Sequence, residues 1–165
     1  MFRNFIFLII VLLISRFVGL PPNFSPLLAT AIFMPRLTNS KYLQSLIPVL
    51  VVALSNFFLE AVNLVIFSTI IFVFFFAPIL SRKVNNLFYS CLVVMLCWFT
   101  LVNGSVWIVN GGSIINTYLA AVPFDFKLLI STLMYLSIFH YFDLIYREFN
   151  DSNKKLIDRF IQKLS

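Results

Sequence analysis

Residues 46–80 form one apolar run of 35 residues, which constrains the fold more than any other stretch of the chain. As a single helix the run would measure about 52 Å at 1.5 Å per residue. The hydrocarbon core of a bilayer is only about 30 Å thick. The run must therefore fold back on itself. The polar residues mark the place: Ser55, Asn56, Glu60 and Asn63 cluster near its middle. The expectation is two antiparallel helices, over 42–59 and 61–80. The rest of the chain is similar in kind. Of its 165 residues 61% are hydrophobic, 11% are charged and 21 are phenylalanine, and the mean hydropathy is +1.00. A soluble domain of this size needs more polar surface than these residues supply. The composition therefore predicts an integral membrane protein of one compact domain.

The other runs can be measured in the same way. Residues 2–20 suit one span. Arg3 before an apolar stretch resembles a signal peptide, but the small-x-small cleavage pattern is missing and apolar character resumes directly after the loop. Residues 24–37 would give only about 21 Å of helix, which fits best if protein surrounds part of it. Further helices are expected over 86–102 and 127–146. Between them, 103–126 reads "NGSVWIVNGGSIINTYLAAVPFDF". It is half polar and Gly-rich at Gly111-Gly112, yet too apolar for a plain surface loop. A short or re-entrant helix over 113–121 is expected there, held against protein or a wet cavity. The predicted fold class is all-α: a polytopic membrane protein, a compact bundle of six transmembrane helices, with that short helix between helices five and six. The bundle takes residues 1–150. In 151–165, Leu156, Ile157, Phe160, Ile161 and Leu164 recur at helical spacing among Lys154, Lys155, Arg159 and Lys163. This tail reads as a basic amphipathic helix on the inner membrane surface, either an anchor or a docking surface.

Charge orients the bundle. With a cytoplasmic N-terminus, ten of the twelve basic residues fall inside and only Arg16 and Lys127 fall outside, as the positive-inside rule requires. Both termini are then cytoplasmic, and the location is the cytoplasmic (inner) membrane. Anionic lipid of the inner leaflet accounts for the net charge of +6, and no nucleic-acid partner is needed.

In this topology the unusual polar residues collect on the outer side. Arg16, Asn23 and Ser25 belong to the first outer loop. Ser55, Asn56, Glu60 and Asn63 belong to the second. Asn103, Trp107, Asn110, Asn116, Tyr118 and Asp125 line the third. Polar groups near lipid are costly and tend to face a bundle interior. Pro21, Pro22 and Pro26 stiffen the first loop, and Asn23 or Ser25 can cap the helix that follows. Arg16 either snorkels to the interface or holds a carboxylate or phosphate. Ser55 and Asn56 either bond helix to helix or face a ligand. Trp107 either anchors at the interface or stacks a ring. Glu60 pairs with Arg16 or meets a ligand amine. Cys91 and Cys97 point to different faces of one helix and read as small apolar fillers. His140 and Asp143 share a face but supply too few ligands for a metal. With one histidine and six acids, and no triad, HExxH or P-loop pattern, the sequence predicts no enzyme, no metal and no cofactor.

Four stretches recur in a recognisable order: "PPNFSPLLATAIF", "ALSNFFLE", "LVNGSVWIVNGG" and "YLAAVPF". Together they resemble a family of short bacterial six-helix membrane proteins. That family is itself similar to the S-components, the substrate-capture subunits of energy-coupling-factor vitamin transporters. The resemblance covers about residues 16–139. It implies a small bundle that captures a micronutrient from outside, with Arg16, Asn23, Ser55, Asn56, Asn103 and Trp107 at ligand-binding positions. Where the family usually reads Ser-Asp, this chain reads Ser55-Asn56. Glu60, Asn110 and Tyr118 join the candidate set from the outer-side sorting alone. The expected partners are the bilayer, a vitamin-like small molecule and a coupling membrane subunit with ATPases, since the chain has no nucleotide site. The alternative is a structural or assembly subunit of a membrane complex, its polar residues serving helix packing.

Overall fold

The computed structural model describes residues 24–58, 63–84 and 86–164. Within them the chain is all helical: α1 is Leu27–Leu37, α2 Lys41–Phe58, α3 Leu64–Lys83, α4 Leu87–Asn110 and α5 Ile114–Leu164. Five helices are thus present among the described residues. Three are long and apolar enough to cross a membrane: α3, α4 and the Ile114–Tyr146 part of α5. The expected first span over 2–20 lies outside the described residues, so the described helices do not make the six-helix bundle.

The long apolar run folds back where its polar residues predict. The Oδ1 of Asn63 accepts the Val65 N–H at 2.9 Å and starts α3. This side chain satisfies a donor that no preceding turn can reach. Arg82 and Lys83 end α3, where cations suit the helix carbonyl end. Asn86 starts α4 in the same way, accepting from Phe88 and Tyr89.

Two expectations are corrected after that. Helix five does not stop at 102, and no separate short or re-entrant helix occupies 113–121. α4 continues to Asn110, and the only break before α5 is residues 111–113. Asn103, Ser105 and Trp107 do not end the helix because their side chains find partners on its own turns, in the turn that follows and on α5. The break comes at Gly111 (φ 70°, ψ −161°) and Gly112 (φ 83°), conformations that L side chains avoid. Ser113 then restarts the helix, its Oγ accepting the Asn116 N–H at 3.5 Å. Pro123 lies inside α5. It removes one N–H from the ladder, the bond toward the Leu119 carbonyl, and the helix runs on past it.

α1 sits at the centre and packs against all four other helices. Leu27 to Met34 are buried without exception, so protein encloses this run, as its shortness predicts. Small and hydroxylated residues allow close approach: Ala29, Ala31, Ala77, Ser55, Ser90 and Ser131 are all buried. Most hydroxyls bond carbonyls of their own helix, as Thr30 does to Pro26 and Thr132 to Leu128. Ser81 is different. Its Oγ donates to the Ile32 carbonyl at 2.7 Å and ties α3 to α1. Phe33 against Phe139 and Phe74 against Trp98 complete the interior. Outward, Phe72, Phe75, Leu96, Leu119, Phe124 and many other large apolar side chains are exposed. The interior mixes large apolar side chains with small and hydroxylated ones that let helices approach, while the exterior is also dominated by large apolar side chains, unlike that of a water-soluble bundle.

Candidate functional site

The α4–α5 hairpin brings the third-loop residues onto facing helices. Asp125 is the twelfth residue of α5, directly after the apolar run 119–124, and is 8% exposed. One carboxylate oxygen accepts the Trp98 indole N–H at 3.0 Å. The other accepts the Asn103 amide N–H at 2.6 Å. The Asn103 amide also donates to the Phe99 carbonyl at 3.0 Å, which fixes its rotamer. Among the described residues, the Asp125 carboxylate meets these neutral donors and no basic group. A carboxylate buried so far from water is costly unless hydrogen-bonded, and two N–H donors offset only part of the lost hydration.

A second contact lies nearer the turn. The Tyr118 hydroxyl donates to the Thr100 carbonyl at 2.7 Å and its ring meets Phe99 edge-on at 5.2 Å. Gly104 makes this possible, since a Cβ there would lie 3.2 Å from the Tyr118 hydroxyl. Beside this pair runs an apolar groove of about 380 Å³, lined by Phe99, Ile114, Ile115, Tyr118, Leu119 and Val122. Tyr118, Val122 and Asp125 recur at helical spacing, so groove and carboxylate share one side of α5. At the turn itself, the Trp107 indole N–H donates to the Gly112 carbonyl at 3.0 Å.

The expected site residues therefore divide. Asn103 is buried and joins the polar centre. Tyr118 and Trp107 are half-buried, each with its polar atom bonded to backbone across the hairpin. Asn110 is exposed at the end of α4. Ser55 is wholly buried on α2, its Oγ bonded to the Val52 carbonyl at 3.0 Å, with half-buried Asn56 beside it. Arg16, Asn23 and Glu60 lie outside the described residues. Sequence reasoning placed Asp125 on the third loop without giving it a role and passed over Trp98.

No curated protein and no solved structure matches this chain. Residues 2–154 match a family description that assigns no function. Over nearly its whole length, then, the chain belongs to the family of unknown function DUF6580.

Proposed function

We propose that this chain is a polytopic inner-membrane protein that captures a small vitamin-like molecule for uptake. It works as the S-components do, with no ATPase of its own and with a coupling membrane subunit and ATPases as partners. Both termini are cytoplasmic, the orientation that the basic residues favour. The observation that carries the reading is the buried Asp125 carboxylate, bonded to Trp98 and Asn103 and facing no basic group among the described residues. An ionisable group in a candidate span marks a functional site by default. A ligand amine or a proton would complete it, and the aromatic groove beside it suits the flat apolar part of the same molecule. The role is binding rather than catalysis.

Native mass spectrometry of freshly purified protein tests this reading. A co-purified small molecule is expected, released by Asp125→Asn while the variant keeps its helical spectrum. Added back at a hundred times Kd, that molecule should stabilise the wild type by about 2.7 kcal/mol. One observation favours the structural-subunit alternative: Trp107, Tyr118 and Asn103 all spend donors inside the hairpin. Absence of any bound molecule, with no stabilisation across a panel of vitamins, decides for that alternative.

A further inference from the structure

At the other end of α4, an open cleft of about 520 Å³ lies where the end of α1, the start of α4 and the middle of α5 meet. Its lining has two chemistries. Arg36, Asn86 and His140 bring N–H donors, while Leu87, Phe88, Leu133 and Leu136 are apolar. Arg36 stands in the last turn of α1, its guanidinium 6.0 Å from the Phe33 ring centre. Asn86 uses its carbonyl oxygen to cap α4, and the capping bonds leave both of its amide hydrogens unused. The Ser137 hydroxyl is turned back to the Leu133 carbonyl and narrows one wall. Arg82 and Lys83 close α3 a few residues before Asn86, and Asp143 stands one turn past His140; Arg36 makes a further contact within the chain, so an anion shares its five N–H donors rather than meeting a bare guanidinium.

We propose that this cleft binds a phosphate-bearing anion, held as the head of an anionic phospholipid. A guanidinium and a cap amide match phosphate oxygens, and the apolar half suits the first carbons of an acyl chain. The volume exceeds that of a bare phosphate and falls in the range of small-molecule sites. Basic pockets between helices on the cytoplasmic side take such heads, and the basic-residue count puts this end on that side. The lipid source rests on the membrane reading above; the phosphate chemistry does not. The cleft shares no lining residue with the Asp125 centre and lies about 12 Å from Asp125 along α5 and about 25 Å from Asn103 along α4, so neither proposal falls with the other.

The test uses the full chain, delipidated in detergent and offered phosphatidylglycerol, phosphatidylcholine or glycerol phosphate in turn. Bound molecules are counted by native mass spectrometry and thermal unfolding is followed in parallel. Phosphatidylglycerol should be retained on dilution at least tenfold better than phosphatidylcholine. Arg36→Gln, which removes the charge, and Ser137→Phe, which fills the cleft and keeps every charge, should each weaken retention at least tenfold. Lys127→Gln, which removes a cation outside the cleft, should not. If glycerol phosphate stabilises the wild type but neither cleft variant, and no lipid is retained, the same chemistry serves a soluble phosphate. Equal retention in the wild type and the folded cleft variants overturns the proposal, as does an equal loss with Lys127→Gln or no response to any phosphate anion. Should Arg36→Gln fail to fold, Ser137→Phe decides alone.

Discussion

Asp125 shows how one side chain can bind two helices together. Its two oxygens take one N–H from Trp98 and one from Asn103; without it the half-buried indole N–H and one amide hydrogen of Asn103 would lose their partner. Asp125→Ala should therefore cost more than a lost hydrogen bond, about 2–4 kcal/mol for two stranded donors, read as a fall in thermal midpoint in detergent. Asp125→Asn keeps one acceptor and should cost roughly half as much. If Asp125→Ala unfolds at the wild-type temperature, the carboxylate is not holding the hairpin. The same residue marks where sequence reading stopped. Asn103 stood out because an amide in an apolar run is unusual. Trp98 did not, because nothing in its neighbours shows that an acid 27 positions away will reach its indole.

Among the elements, the hairpin depends on two backbone devices. Gly104 gives the Tyr118 hydroxyl room to reach Thr100, and Gly111 takes a conformation nearly reserved for glycine. Gly104→Leu should push α5 off α4 and raise protease cleavage near the turn, whereas Gly104→Ala asks the hydroxyl to shift by only tenths of an ångström. Gly111→Ala meets no neighbour, so its effect should be pure backbone strain, about 1–3 kcal/mol. Equal stability of Gly111→Ala and wild type would mean that the turn relaxes into another shape. The fold-back of the long run was legible from the sequence because helix length against about 30 Å of hydrocarbon leaves no other choice. The α4–α5 boundary was not. Polar residues at 103–110 look like a loop until their partners are known, and those partners belong to tertiary structure. Only Gly111-Gly112 carried the true signal.

For the whole molecule, the many large apolar side chains on the outside support the membrane reading, and the basic residues give it a direction. Single cysteines at positions 39 and 63, both exposed, should label oppositely in intact cells: position 63 with an impermeant reagent, position 39 only after permeabilisation. The reverse pattern would invert the topology and place the Arg36 cleft on the outside. The buried position of α1 also has a consequence for how the chain is made. At about 16 Å this helix is too short to cross hydrocarbon unaided, and its walls come from α2 to α5, all later in the chain. Synthesis from the N-terminus therefore produces this helix before any of the described helices that enclose it. α1 must wait, at the interface or beside the insertion machinery, until the last helix emerges. The final step of assembly is then the admission of an early segment by late ones, and a chain truncated within α5 would strand its own centre.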